Sequence, residues 1–459
     1  MIIKPEQIST YSLNRSSRGG DICKVLAAAL NGADAGAAIK KHVSLDADNL
    51  IIDRNTFDLS KFSRIFIIGA GKASVPMVNA ICELLNEKIS TGLIITKDGH
   101  LDPERYKICT QIKLREAAHP IPDQRNVDAA NKLSSLTSKL KSDDLVIFLL
   151  SGGGSSLLMK PSPGLTLQDI QATTALLLGC GAPINEINTI RKHIDVYKGG
   201  GLAKHLAPAF VISLILSDVV GDNLEVIASG PTVADPSTFS DAWEILEKYE
   251  ILDQVSPRVR ARFSAGIRGE VQETIKPNNS ILSRVSNIIV GNNTDAVNSA
   301  FNAAKNLGFD TRLLTAILHG EASQMGIDLF EEAKALLFTP TLFKRSVCMI
   351  AGGETTVTLK GKGKGGRNQE LALGAVKSLS GSEQWILASM ATDGGDGPTD
   401  AAGAVITNET FARALSMGHD PQDYLRRNDS YQFFASLNDL IFTGPTLTNV
   451  NDLVFIFKL

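Results

Sequence analysis

The chain has 459 residues, 43 % of them hydrophobic and 21 % charged, with a net charge of −3. Such a length predicts two domains, and such a charge balance gives nucleic acid or an anionic membrane no general hold on the protein. Its longest apolar stretches, 145–150 and 209–216, are too short to span a bilayer, and the amino end lacks the apolar core of a signal peptide.

Five cysteines (Cys23, Cys82, Cys109, Cys180 and Cys348), never spaced C-x-x-C, read as reduced thiols of a cytoplasmic protein. Seven histidines without a Cys/His cluster argue against a zinc site.

One pattern repeats in chain order: a short apolar run, a loop of small polar residues, then a helical period. The run at 64–68 meets GAGKAS (69–74), after which Val75, Val78, Cys82 and Leu85 share a helix face. The runs at 92–96, 145–150, 210–216, 288–291, 347–353 and 386–391 continue the series. Residues 293–308 read as a capped helix, with Asn293 as N-cap and Gly308 past the end. Strands apolar on both faces, alternating with helices, predict an α/β fold around a mostly parallel sheet covered on both sides. A break in the apolar pattern at 265–285 predicts an amino-terminal domain over 1–280, holding the first four strands, and a carboxyl-terminal domain over 281–459.

Ligands of such sheets bind beyond the carboxyl ends of the strands, where most of the polar motifs fall. GAGKAS fits neither a P-loop, because Phe66 and Ala73 replace a required glycine and hydroxyl, nor a dinucleotide fingerprint, because Ser74 replaces the third glycine. There remain a tight turn at Gly69 and Gly71 and a cation, Lys72, at a helix start. A cation there opposes the helix dipole unless an anion sits nearby; an exposed turn lysine is the plainer reading. SGGGSS offers the amides and hydroxyls of Ser151, Gly152, Gly153, Gly154 and Ser155 to an anion, or else simply closes a strand.

SDVVGD (217–222) and ATDGGDGPTDAAG (391–403) place Asp218, Asp222, Asp393, Asp396 and Asp400 beyond strands. Magnesium takes one or two carboxylates plus phosphate oxygens, so Asp218, Asp393 and Asp396 are its candidates and the rest read as turn formers. Arg191 belongs to a basic stretch at 188–205 that is either a wetted helix face or a ligand contact. GGETTVTLKGKGKGGRNQE (352–370) alternates Lys360, Lys362, Lys364 and Arg367 with glycines that let the backbone approach a ligand; a solvated basic loop is the alternative. Asn368 opens the next helix, and Glu354 either pairs with a cation of this loop or binds ligand. Anion loops, two cations and strand-end aspartates together suit phosphoryl transfer, which needs positioning and charge neutralisation more than a covalent catalyst.

Taken in order, GAGKAS, EAAHPIPD, SGGGSSL, NTIRKHID, SDVVGD with IASGPT, GGETTVTLKGKGKGGRNQELAL, ATDGGDGPTDAAGA and GPTLTNVNDL resemble the class II glycerate kinases, or glycerate 2-kinases, whose carboxyl half is the MOFRL domain. The resemblance runs over roughly residues 20–457. It implies a Rossmann-like domain, a smaller α/β domain, and an active site in the cleft between them. The implied reaction is Mg2+-dependent phosphorylation of D-glycerate by ATP to 2-phosphoglycerate, with Lys72 and Arg367 as the catalytic pair. It leaves the oligomer open between monomer and homodimer. Ala118, Gly201 and Leu447 depart from the family pattern, and the bulk of Leu447 is expected to narrow a loop. Two rival readings are a hydroxypyruvate reductase, a label genes of this family have carried, and a non-catalytic sugar-acid-binding protein.

Overall fold

Strand Asp144–Leu150 is buried at every position, as an unbroken apolar run requires when both faces of a sheet are covered. The computed structural model describes residues 3–102, 104–337, 346–382 and 384–459, and the chain divides into two units, Ala35–Val290 and Met1–Asp34 with Gly291–Leu459. The amino-terminal unit begins with a small antiparallel sheet of β1 (Val43–Asp46), β2 (Asn49–Ile52) and β3 (Asn55–Asp58). Its main sheet contains β4 (Arg64–Ala70), β5 (Thr91–Lys97), β6 (Ile112–Ala117), β7 (Asp144–Leu150), β8 (Phe210–Leu216) and β9 (Val285–Gly291), in the order β6-β5-β4-β7-β8-β9. The β4–β5, β5–β6, β4–β7 and β7–β8 pairs are parallel.

This is the doubly wound strand order, and the chain reverses its direction of growth between β4 and β7. Register pairs Arg64 with Asp144 and Ala70 with Leu150, so the loops that begin at Gly71 and Ser151 leave the sheet side by side. That reversal is where doubly wound sheets bind ligands.

In the carboxyl-terminal unit, β10 (Asp310–Leu318), β11 (Val347–Gly353), β12 (Trp385–Ala391), β13 (Gly403–Thr407), β14 (Leu440–Ile441) and β15 (Asp452–Lys458) form a mixed sheet ordered β10-β11-β15-β12-β13-β14. Here β10 and β11 are parallel, whereas β15 runs antiparallel to both β11 and β12. The first residue of β15, Asp452, therefore faces the last residues of its neighbours, Gly353 and Ala391.

The division differs from the expected one at two places. Residues up to Asp34 belong with the carboxyl-terminal unit because helix Gly19–Gly32 packs on helix Asn293–Asn306, where a Cβ on Gly32 would stand 2.2 Å from Ser299 Oγ. Arg18 adds to this seam, donating to the Leu307 carbonyl at 2.7 Å and stacking on Phe309. Strand β9, expected beyond the boundary, completes the amino-terminal sheet beside β8.

Two local expectations are also corrected. The N-cap of helix Asn293–Asn306 is Asn292, whose side chain accepts from the Asp295 amide. Cys82 and Cys109 are joined as a disulfide with Cα atoms 5.7 Å apart, so not all five cysteines are reduced thiols. Among the described residues no single helix is long and apolar enough to cross a membrane.

Candidate active site

At the β4–β7 reversal, the glycine turn and the serine–glycine loop are stitched together. The Lys72 amide donates to the Gly152 carbonyl at 2.8 Å, and the Ala73 amide donates to Ser151 Oγ at 3.0 Å. Gly71 has φ +141°, and a Cβ there would meet Ser151 Oγ at 2.1 Å, so glycine is required twice over. Lys72 is further held through its carbonyl, which lies 2.9 Å from His100 Nδ1.

The stitching has a chemical consequence. The first amides of the turn are spent on protein acceptors, whereas the N–H groups of Gly152 and Gly153 donate to no group among the described residues. Two adjacent unused amides are the donors from which an anion nest is built. Gly153 has φ +82°; a Cβ on it would lie 2.9 Å from His119 Cδ2 and 3.4 Å from Lys72 Cγ. The imidazole of His119 and the stem of Lys72 therefore both border Gly153.

On the far side of the loop, Ser155 Oγ lies 3.1 Å from Ser229 Oγ, which donates to Asn188 Oδ1 at 2.9 Å. Buried Lys198 locks this corner by donating to the carbonyls of Ser155 (2.8 Å) and Leu158 (3.3 Å) and to Asp195 Oδ2 (3.1 Å). Burial pushes the Asp195 carboxyl up and the Lys198 ammonium down, and their mutual attraction opposes both shifts. Arg191, on helix Ile184–Ile194, is half-buried and makes no hydrogen bond or ion pair with any described residue.

The carboxyl-terminal unit presents Arg367 at the first position of helix Arg367–Leu379. Its guanidinium grips Asp452 with Nε at 2.5 Å and Nη2 at 3.0 Å, and Nη1 lies 2.8 Å from Glu354 Oε1. Burial alone would lower its pKa, but the Asp452 and Glu354 carboxylates raise it, so its charge is permanent. Of the two readings of Glu354, pairing with a cation of the loop is the contact observed.

Asp396, expected as a metal ligand, performs a different task. Its Oδ1 accepts from the Asn368 amide at 3.1 Å and its Oδ2 from the Gln369 amide at 2.9 Å, which caps the Arg367 helix from a separate loop. Burial raises its carboxyl to about 7, aided by Asp452 and opposed by those amides and by Arg367. Asn368 is likewise turned inward, its Oδ1 accepting from Ser389 Oγ at 2.7 Å. Asp218 and Asp393 are half-buried at the ends of β8 and β12, and Asp400 accepts from Tyr431 OH at 2.8 Å.

The glycines of the basic loop also have an intramolecular reason. A Cβ on Gly361 would stand 2.2 Å from the Arg427 carbonyl, one on Gly363 2.5 Å from Asp429 Cβ, and one on Gly365 2.1 Å from Ser430 Oγ. The loop lies flat on segment 427–430, pinned by Asn428 Oδ1, which accepts from the amides of Lys360 (2.7 Å) and Gly361 (2.8 Å). Close approach is what these glycines allow, but the partner is the protein's own backbone.

Of the departures from the family pattern, Gly201 has a local explanation. A Cβ on Gly201 would meet the Val196 carbonyl at 2.0 Å, and Ala118 exchanges backbone hydrogen bonds with the Asn126 side chain. Leu447 adopts φ 59° with its side chain buried. His119, Asn188, Lys198 and Asp452 were not singled out in the sequence as site residues. The first sits in the EAAHPIPD block and the last in the final block, so the blocks were visible while the partners inside them were not.

Among known proteins, the chain matches DUF4147, a domain of unknown function, over residues 21–264 and the MOFRL family over residues 347–452. It is 40 % identical over 432 residues to a glycerate 2-kinase of Pyrococcus horikoshii, covering 94 % of this chain and 95 % of the relative. It is 42 % identical over 401 residues to a D-glycerate 2-kinase of Thermotoga maritima, covering 87 % and 92 %. A crystal structure of a Thermotoga maritima glycerate kinase superposes with a TM-score of 0.80 at 38 % identity, covering 95 % of this chain and 98 % of that one. Two family domains in the expected order, on a doubly wound sheet, and relatives similar over nearly their whole length place this chain in the class II glycerate kinase family.

Proposed function

We propose that this protein is a D-glycerate 2-kinase, transferring the terminal phosphoryl group of ATP to the 2-hydroxyl of the acid. The observation that carries the reading is the pair of unused amides at Gly152 and Gly153, beside Lys72, at the reversal point of the sheet. Preorganised donors of this kind stabilise charge that develops on transferring oxygens, and they need no reorganisation when it appears. Arg367, locked by two carboxylates, is a fixed cation of the other unit.

Magnesium fits this chemistry only as an ion carried largely by the nucleotide phosphates. No group of three His, Cys, Asp or Glu side chains that could hold a metal occurs among the described residues, and Asp396 is occupied by helix amides. Either Asp218 or Asp393 would offer it a single carboxylate. When bound, the ion neutralises charge on the phosphates.

The reductase reading is less favoured by the same geometry. A dinucleotide site needs helix amides open to a pyrophosphate, but here the amides of Lys72 and Ala73 are taken and the Ser74 amide donates to the Gly71 carbonyl at 3.3 Å. The decisive assay mixes the protein with D-glycerate, ATP and Mg2+, and separately with hydroxypyruvate and NADH. ADP release with a 2-phosphate ester resolved by phosphorus NMR is the expected result. NADH oxidation without ADP release would replace the kinase with the reductase, and binding without either would favour the non-catalytic reading.

A further inference from the structure

On helix Ile184–Ile194, Asn188 and Arg191 are three residues apart and share a face. Asn188 is only 4 % exposed; its Oδ1 accepts from Ser229, but its Nδ2 donates to no described residue. Arg191, the next cation along, is equally without an acceptor among the described residues. The nearest acid, Asp195, attracts it from a distance, but that carboxylate is spent on Lys198 and on the amides of Tyr197 (2.8 Å) and Lys160 (3.1 Å). Neither donor is sealed from solvent, so both stay open to a ligand while the groups around them are held in place.

The backbone around these donors is also held in an unusual shape. Ala228 (φ 50°) and Ser229 (φ 62°) are consecutive non-glycine residues in the left-handed region, followed by Gly230 (φ 63°). Their conformation carries Ser229 to both Asn188 and Ser155. Strain of this kind concentrates at ligand clamps. Ser155 in turn is two residues from Gly153, so no more than about 7 Å of backbone separates this corner from the amide nest beside Lys72.

We propose that Arg191, with the Asn188 amide, is the anchor for the carboxylate of the acceptor acid, and so sets the requirement for a 2-hydroxy acid. The role suits Arg191 better than Arg367, whose planar fork is already filled by Asp452 and Glu354. In a 2-hydroxy acid the carboxylate carbon is bonded to the carbon bearing the reacting hydroxyl. An anchor at the Ser155 end of the loop and a charge-stabilising nest at the Gly153 end then stand at the two places one small substrate needs them. The inference rests on the kinase reading for the identity of the acid, not for the existence of the site.

The test is calorimetric titration of wild type, Arg191→Ala and Arg191→Lys with D-glycerate alone and with ATP alone, alongside steady-state kinetics. Glycerate affinity should fall about 30-fold or more in Arg191→Ala, and less in Arg191→Lys, which keeps the charge but not the fork. ATP affinity should stay within about twofold. Melting temperature should not fall, since the guanidinium has no described partner to lose; a purely structural arginine would lower it. Loss of ATP affinity instead, or unchanged glycerate affinity in both variants, overturns the anchor. If wild type binds glycerate through Arg191 yet transfers no phosphoryl group, the kinase reading fails while the anchor stands. Normal turnover with Arg191-independent glycerate binding means the opposite: the kinase reading stands and the anchor fails.

Discussion

Lys72 and Arg367 are both cations, but their surroundings give them different mutational signatures. Lys72 flanks two open amides, so Lys72→Ala should lower kcat/KM by about 3 kcal/mol, roughly two orders of magnitude. Arg367→Ala would leave Asp452, 3 % exposed, unpaired beside Asp396, at a cost of about 3–5 kcal/mol in folding. Arg367→Lys is therefore the informative variant, since an ammonium cannot span both oxygens of Asp452 and Glu354 together. It should retain the fold and still lose activity on the scale of Lys72→Ala.

Asp396 supplies a pH signature. Its carboxyl is raised from 3.8 to about 7 in the folded chain, so between those values the folded protein holds a proton that the unfolded chain has released. Its contribution to stability is present below about pH 4 and declines as pH rises through 7. Wild type should exceed Asp396→Asn in melting temperature by more at pH 5 than at pH 8. A constant difference would mean that this carboxyl titrates as an ordinary aspartate.

At the scale of elements, what could be read from sequence followed hydrophobic period. Strands β4, β5, β7, β8, β11 and β12 announce themselves as apolar runs because both their faces are covered, and the glycine-rich loops after them followed directly. Strand β6 escaped because Lys113 and Arg115 interrupt it with polar positions, which an edge strand tolerates. Strand β15 escaped because no loop and helix follow it, so it fell outside the repeating pattern even though all but its last residue are buried. The missing β15 mattered most, since its antiparallel insertion is what brings Asp452 to Arg367.

Glycine shows the same limit. Composition reports that a loop is permissive but not what approaches it, and in 361–365 the approaching group is segment 427–430. Gly361→Ala should therefore cost about 1–3 kcal/mol by overpacking against the Arg427 carbonyl. Gly20, in a helix with nothing within 4 Å of where a methyl would stand, is the contrast: Gly20→Ala should stabilise by about 0.5–1 kcal/mol. Chemical denaturation midpoints of the two variants should move in opposite directions.

At the scale of the whole molecule, the two units are built on different sheets yet each carries a cation at a strand-end loop. One belongs to a parallel sheet at its point of reversal, the other to a mixed sheet at an antiparallel insertion. The groups that hold each loop are hidden from sequence because they are distant along it: Asp452 is 85 positions from Arg367, and Ser151 is 78 from Ala73.

Whether the two cations serve a single transition state is open to a double-mutant cycle on kcat/KM with Lys72→Ala, Arg367→Lys and the combined variant. Groups acting on the same transferring phosphoryl should show losses far from additive, with the combined variant within about tenfold of the worse single one. Losses that multiply in full would mean the two residues work independently, and the shared reaction would have to be abandoned.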